Sequence, residues 1–292
     1  MKDKNKKLIA IIYESIFVLL AFVVVSFAWF TYSDKASTSG IDLDVKVVIN
    51  ISISNDGRTW GTSTTVTPTG DVQISELSGD GANLFYPVIV DKKVTGYTNA
   101  NQFSSTDPSY IEFKFYILSN GPAQMSYGIG CEVTPANGSK LEDNIAGAVR
   151  VACFETTNGK TPANSVVWAP NSTYQYTSGT GSNKGTVNKT GTVESSYTYA
   201  TSGSTTLKTI ETKGNASGVS DDKNFVWGVI TEQMVADMNP FLVIDTEYGV
   251  KSIHEITVRI WVEGTDREAV RDLMTGQFKV KLCFKAVDID EE

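Results

Sequence analysis

A run of 23 almost wholly apolar residues, 8–30, limits what this chain can fold into more than any other feature. In a bilayer such a run satisfies its backbone hydrogen bonds as a helix, and it would span about 30 Å, the thickness of the hydrocarbon layer. Four lysines among the seven preceding residues form a head that stays on the cytoplasmic side. The sequence therefore predicts an N-terminal hydrophobic helix, residues 1–30 being a signal peptide or membrane anchor for a body of residues 31–292.

The leader has three possible fates. Small side chains at Ser26 and Ala28 suit cleavage before Trp29, which would release the body from the membrane. Without cleavage, the leader stays in the bilayer as an anchor, with Glu14 close to the cytoplasmic headgroups. In a type IV pilin-like helix the chain would instead be cut before Ala10, and Glu14 would pair with the amino terminus of a neighbouring subunit.

Everything after residue 40 has the pattern of β-strands. Residues 41–54 alternate apolar and polar side chains over most of their length, and Asn55-Asp56-Gly57 then supplies a turn. Short helices are predicted over 142–148, 232–238 and 267–274. Many strands with few helices predict a mostly β fold, an antiparallel, jelly-roll-like β-sandwich. The other predicted strands are 84–90, 110–118, 125–133, 149–154, 165–168, 225–230, 241–244, 255–262 and 277–285.

Residues 171–222 differ from the rest in composition. They are rich in Ser, Thr, Gly and Asn and have few aliphatic side chains to offset the entropy of ordering. Tyr174, Tyr176, Tyr197 and Tyr199 alternate with polar residues, a pattern that predicts two edge strands in one long hairpin. We therefore expect an exposed insertion in the sandwich. It serves either as a variable surface loop or as a contact surface for a glycan or another protein.

Charge and histidine content exclude several classes of function. The formal net charge of −8 argues against a nucleic-acid partner, which would need a basic face. His254 is the single histidine, and the helical zinc-protease motif would need a second one at position 258, which is Val. The nucleotide-binding pattern ending at Gly159-Lys160-Thr161 lacks its first glycine, because that position is Phe154. We therefore expect no enzyme activity, no cofactor and no metal.

The remaining reactive and charged groups have simple interpretations. Three cysteines allow at most one internal disulfide, and their apolar, strand-like surroundings favour buried thiols; they are Cys131, Cys153 and Cys283.

Three carboxylates that follow a predicted strand lack the spacing of a calcium-binding loop. We expect them to be solvated charges: Glu263, Asp266 and Glu268.

The segment Ala28-Trp29-Phe30-Thr31, followed by Ser33-Asp34 and then Ile41-Asp42-Leu43, resembles the start of the camelysin/TasA-like secreted proteins of Firmicutes. Residues 168–171 and 259–264 are similar to segments of clostridial surface proteins that carry an Ala-Trp-Phe-Thr start. The resemblance implies a jelly-roll domain outside the cell, sometimes polymerised into fibres. In such fibres the N-terminal segment leaves its own domain and completes the sheet of the next subunit.

Two interpretations of the N-terminal segment stay open. Residues 29–39 are either given to a neighbouring subunit, or 41–53 simply form the first strand of their own sandwich. We expect an extracellular or cell-surface structural protein that self-associates and contacts the membrane through 8–30. There are two alternatives: an anchored module that binds a glycan or protein through 171–222, and a type IV pilin-like subunit. The candidate assembly or anchor residues are Glu14, Ala28, Trp29, Phe30, Ile41, Leu43 and Val45.

Overall fold

The computed structural model describes residues 38–46, 51–66, 76–91, 93–100, 109–135, 148–156, 165–170, 173–178, 185–190, 196–211, 218–265, 278–287 and 289. The leader and four candidate residues lie outside this part of the chain: Glu14, Ala28, Trp29 and Phe30. Residues 36–292 form one compact unit. Its described residues are mostly in β-strands, which confirms the mostly β class.

The elements follow one another along the described residues with a single short helix near the end. That helix begins after Thr231, whose side chain accepts a hydrogen bond from the backbone N–H of Met234 and so caps the first turn. The elements are β1 (Thr38–Lys46), β2 (Ser52–Ser54), β3 (Ser63–Val66), β4 (Glu76–Gly79), β5 (Leu84–Val90), β6 (Lys93–Asn99), β7 (Ile111–Ser119), β8 (Ala123–Tyr127), β9 (Glu132–Pro135), β10 (Val149–Glu155), β11 (Ser165–Ala169), β12 (Thr173–Ser178), β13 (Gly185–Thr190), β14 (Ser196–Ala200), β15 (Leu207–Glu211), β16 (Phe225–Trp227), α1 (Glu232–Asp237), β17 (Leu242–Ile244), β18 (Ser252–Glu263) and β19 (Phe278–Val287).

Two large sheets contain most of the strands. Sheet A has the strand order β17-β8-β19-β1-β3, and β9 also pairs with β19. Sheet B has the order β16-β11-β10-β18-β4-β5-β6, and β7 lies between β18 and β2. The long strand β18 pairs with β10 along one edge, and with β7 and then β4 along the other.

The main hydrophobic core lies between the two sheets. Leu43 and Phe284 from sheet A and Phe115 from sheet B belong to one buried cluster. The rings of Phe115 and Phe284 stack with centroids 5.2 Å apart. Tyr127 of sheet A is fully buried, and its hydroxyl lies 3.0 Å from the carbonyl oxygen of Val151 in sheet B. Side chains from both sheets therefore interlock, as in a sandwich.

A second buried cluster covers the outer face of sheet B. Strands β14 and β15 form a hairpin that buries Tyr197 and Tyr199 against Phe225 and Trp261. The rings of Tyr199 and Phe225 have centroids 5.4 Å apart, within the range of favourable aromatic pairs. Sheet B is consequently buried on both faces in this region.

The sheets are mixed rather than purely antiparallel, which corrects the sequence-based expectation. Strand β1 runs parallel to β19, β11 to β16, and β18 to β4. A period of two residues marks a strand but carries no information about the direction of its neighbour. Parallel neighbours need a long connection, and each of these pairs is far apart in the sequence.

Two predicted strands are each divided in the structure. Residues 41–54 supply β1 to sheet A and β2 to sheet B, and 47–50 between them lie outside the described residues. Residues 125–133 are divided between β8 and β9. A Cβ at Gly128 would lie 3.0 Å from the Phe284 carbonyl carbon, and Gly130 has φ +102°, so this close, kinked approach requires glycine.

Other predicted elements agree with the structure or lie outside its described part. Strand β5 has the predicted bounds 84–90, and the predicted helix over 232–238 is α1. Gly57, in the predicted turn after β2, has φ +68°. The predicted helix over 267–274 and nearly all of that over 142–148 fall outside the described residues.

Candidate functional site

Strand β1 occupies an interior position in sheet A. Asp44 pairs with Cys283 of β19 on one side and with Ser63 of β3 on the other. Leu43 is 1% exposed and lies in the main core. The two other assembly candidates within the described residues, Ile41 and Val45, are also in β1 and pair with Val280 and Phe284 of β19. The structure thus brings Ile41, Leu43 and Val45 together in one strand of their own chain.

The insertion of residues 171–222 forms two hairpins, where the sequence pattern predicts one. Strands β12 and β13 pair only with each other among the described residues, and β14 and β15 make a separate pair. The second hairpin is held on the sandwich, because Tyr197, Tyr199 and Ile210 are buried. An alternation of tyrosine and polar residues indicates a strand with one apolar face, but it does not distinguish a face in solvent from one covered by the body.

Glu263 fastens the second hairpin to sheet B. Its carboxylate accepts hydrogen bonds from the Trp261 indole N–H at 3.1 Å and the Thr265 hydroxyl at 2.9 Å. The Tyr197 hydroxyl lies within hydrogen-bonding distance of the same carboxylate and of the Gly79 carbonyl oxygen. These contacts join β14, β4 and the end of β18 in one buried polar network.

The expectation of a solvated carboxylate is wrong for Glu263, which is 0% exposed. Strand β18 extends to this residue, and the β14–β15 hairpin covers it. Burial raises the pKa of Glu263 above its ordinary value of 4.5, although the hydrogen bonds from Ser78 and Tyr197 and the charge of Arg150 oppose this shift. The other two carboxylates of the group, Asp266 and Glu268, lie outside the described residues.

A different set of polar side chains surrounds the single histidine. The His254 ring nitrogen Nδ1 lies 2.7 Å from Glu155 Oε1, and Nε2 lies 3.0 Å from Ser252 Oγ. The His254 side chain is 18% exposed and that of Glu155 is 38% exposed. Thr246 Oγ1 is 3.4 Å from Ser252 Oγ. The result is a continuous hydrogen-bonded chain from carboxylate to imidazole to hydroxyl.

The position of these hydrogen-bonded side chains follows from strand geometry. Ser252 and His254 are two residues apart in β18 and therefore point to the same face, the one that continues into the core at Ile256. Glu155 ends β10 and pairs with Ile256 across the ladder. Sequence inspection missed the set because Glu155 is 99 residues from His254, and only the pairing of β10 with β18 brings them together.

The three cysteines are buried free thiols, as the apolar contexts predict. Burial raises the pKa of the Cys131 thiol to about 12 and raises that of Cys153 as well. The backbone N–H of Cys283 donates to Cys131 Sγ at 3.2 Å. Within the part of the chain that the structure describes, no group of three or more His, Cys, Asp or Glu side chains is arranged to hold a metal ion.

Among the described residues, no helix is long and apolar enough to cross a membrane. Comparison with family models, with curated proteins and with solved structures finds no match for the chain.

The raised pKa of Glu263 predicts a specific pH dependence of stability. The folded state holds the proton more strongly than the unfolded state, so stability from this group is complete below pH about 4.5 and is lost as pH rises through the raised pKa. Relative to Glu263→Gln, the wild type should therefore lose free energy of unfolding as pH rises from about 4.5 to 8. Urea unfolding at a series of pH values measures this difference, and parallel curves for the two proteins would contradict it.

A companion substitution tests the network itself. Glu263→Ala should lower the free energy of unfolding by about 2–4 kcal/mol, because the buried Trp261 indole N–H loses its acceptor and the Tyr197 hydroxyl keeps only the Gly79 carbonyl oxygen. Glu211→Ala removes an exposed carboxylate from the same hairpin and should change stability by about 0.5 kcal/mol or less.

Proposed function

We propose that this chain is an extracytoplasmic structural protein, displayed at the cell surface or assembled into filaments, with a jelly-roll-like body that the 8–30 leader directs to the membrane. The observation that supports this proposal is the interior position of β1 in sheet A. This strand is the first described element after the leader, and residues 47–51 join it to β2 of the other sheet.

A strand in this position can come from its own chain or from a neighbouring subunit with the same register. Without β1, the facing edges of β19 and β3 would be left unpaired, and an unpaired edge is a template for another chain. A donated strand gains the ladder hydrogen bonds and the buried site of Leu43. Because the contact is head-to-tail and does not close on itself, repeated exchange makes a filament. Trp29 and Phe30 would lead the donated segment.

The mass of the native protein distinguishes the fates of the leader. We expect a mature chain that begins at Trp29, because a filament subunit must leave the membrane. A chain that begins at Ala10 would favour the pilin-like alternative, and a full-length chain would favour an anchored surface domain. Intact mass spectrometry of protein isolated from its own cells makes the measurement.

A cysteine at position 44 tests strand exchange directly. Asp44 and Cys283 are paired across β1 and β19, and paired residues of neighbouring strands are close enough for a disulfide. Oxidation of mature Asp44→Cys protein at high concentration should give a ladder of covalent multimers on a non-reducing gel, because β1 and β19 then belong to different chains.

Two controls accompany this variant. Asp44→Ser should give no ladder, and Thr206→Cys, at an exposed position outside sheet A, reports non-specific oxidation. If mature Asp44→Cys protein cross-links only within one chain, and electron microscopy shows monomers, the exchange of β1 is wrong.

The β12–β13 hairpin supports a second candidate, an anchored binding module. The hairpin forms a two-stranded sheet separate from sheets A and B, so it can be removed without cutting either of them. Deletion of 173–190 should abolish capture of cell-wall glycans on an array while circular dichroism stays unchanged. Deletion of 196–211 should instead unfold the body, since it removes the buried Tyr197 and Tyr199. Glycan capture that survives the first deletion would exclude this hairpin as the binding surface.

A further inference from the structure

We propose that Ser252, His254 and Glu155 form an acyl-transfer site that accepts small carboxylic esters. The proposal goes beyond the structural function argued above and departs from the expectation that the chain carries no chemistry. It depends on the connectivity of the three side chains. A serine hydroxyl bonded to an imidazole, which a carboxylate holds from its other side, is the arrangement that activates a serine nucleophile.

The hydrogen bonds determine which group carries which proton. A carboxylate only accepts hydrogen bonds, so Nδ1 of His254 is the donor to Glu155 at 2.7 Å, and in the neutral form that the reaction needs this nitrogen carries the ring proton. Nε2 then accepts from the Ser252 hydroxyl at 3.0 Å. Ser252 and His254 are the catalytic residues, whereas Glu155 is a positioning residue that fixes the tautomer and the orientation of the ring.

The surroundings of Ser252 indicate what the site can accept. Ser252 is half-buried and pairs across the ladder with Ser119, which lines a small hollow together with Gly121. Thr246 links the hollow to the nucleophile, because its hydroxyl donates to the Gly121 carbonyl oxygen at 3.3 Å and lies 3.4 Å from Ser252 Oγ. Most of the hollow is apolar, which suits the hydrocarbon part of an ester rather than a charged group; its other lining residues are Ile51, Pro122, Ala123, Ala286 and Val287.

The reaction balances with an ester and water as the only co-reactants. Ser252 Oγ forms a bond to the ester carbonyl carbon while its proton moves to His254 Nε2. The bond between that carbon and the alcohol oxygen breaks, and the imidazolium gives its proton to the departing alcohol. Water then attacks the acyl carbon while His254 Nε2 takes its proton, the bond between that carbon and Ser252 Oγ breaks, and the imidazolium returns the proton to Oγ, so that the products are a carboxylic acid and free Ser252.

Covalent labelling distinguishes this site from a histidine that only satisfies its hydrogen bonds. A fluorophosphonate probe forms a stable adduct with an activated serine, whereas an ordinary serine reacts negligibly. Incubation of the folded, full-length wild type with the probe should add one probe mass, and peptide mapping should place it on Ser252. This first measurement needs no variant, so it cannot fail because a substitution unfolds the protein.

Matched variants assign the roles. Ser252→Ala should abolish the adduct, and His254→Gln should slow its formation by about 10²-fold or more. Glu155→Gln should slow it at least about tenfold, with partial recovery in Glu155→Asp, which keeps the carboxylate. Ser204→Ala removes an exposed serine hydroxyl that is bonded to Thr206 rather than to an imidazole, and labelling should be unchanged.

Initial rates of p-nitrophenyl acetate hydrolysis should rank the wild type and the variants in the same order as their labelling rates. Absence of an adduct on the folded wild type would overturn the proposal. So would an adduct on a residue other than Ser252, or a rate unaffected by His254→Gln in a variant whose circular dichroism matches the wild type. None of these results bears on the exchange of β1, whose test reads oligomeric cross-links instead.

Discussion

Burial of both faces of the C-terminal part of β18 is the constraint on which most of this structure depends. Ile256, Val258 and Ile260 face the core between the sheets, whereas Trp261 and Glu263 point to the opposite face. An ordinary sandwich strand leaves its second face to water. Here the β14–β15 hairpin covers that face, and a carboxylate that would otherwise be hydrated needs protein donors from Trp261, Thr265 and Tyr197. The β14–β15 half of the insertion is consequently part of the folded body.

Local patterns in the sequence predicted elements well where one short segment determines the outcome. Strand β5 has the predicted bounds, and α1 follows from a capping threonine before a short amphipathic stretch. Prediction was less successful where distant segments meet. The pattern of 41–54 cannot show that its two halves join different sheets, because both halves alternate equally well. The burial of Glu263 depends on Tyr197, 66 residues away, and a charged residue at the end of a strand normally faces solvent.

The candidate sites show the same limit. The apolar positions of β1 could be named from alternation alone, and Leu43 is buried accordingly. The hydrogen-bonded set of Ser252, His254 and Glu155 could not be named from the sequence. Such a set is defined by geometry and not by spacing in the sequence. In the sequence the lone His254 served only as an argument against a zinc-protease motif. Its partners depend on the register of β10 against β18, which no local pattern encodes.

The two proposals meet at the hollow beside Ser252. Pairing of β1 with β19 ends at Lys285, and the next two residues of β19, Ala286 and Val287, line the hollow. Ile51, which lines the same hollow, is the last residue of the 47–51 link through which an exchanged β1 would reach β2. A neighbouring subunit that supplied β1 would therefore redirect the chain at the rim of the hollow. If β1 is exchanged as proposed, a comparison of Ser252 labelling rates in monomeric and assembled protein would show whether that change reaches Ser252.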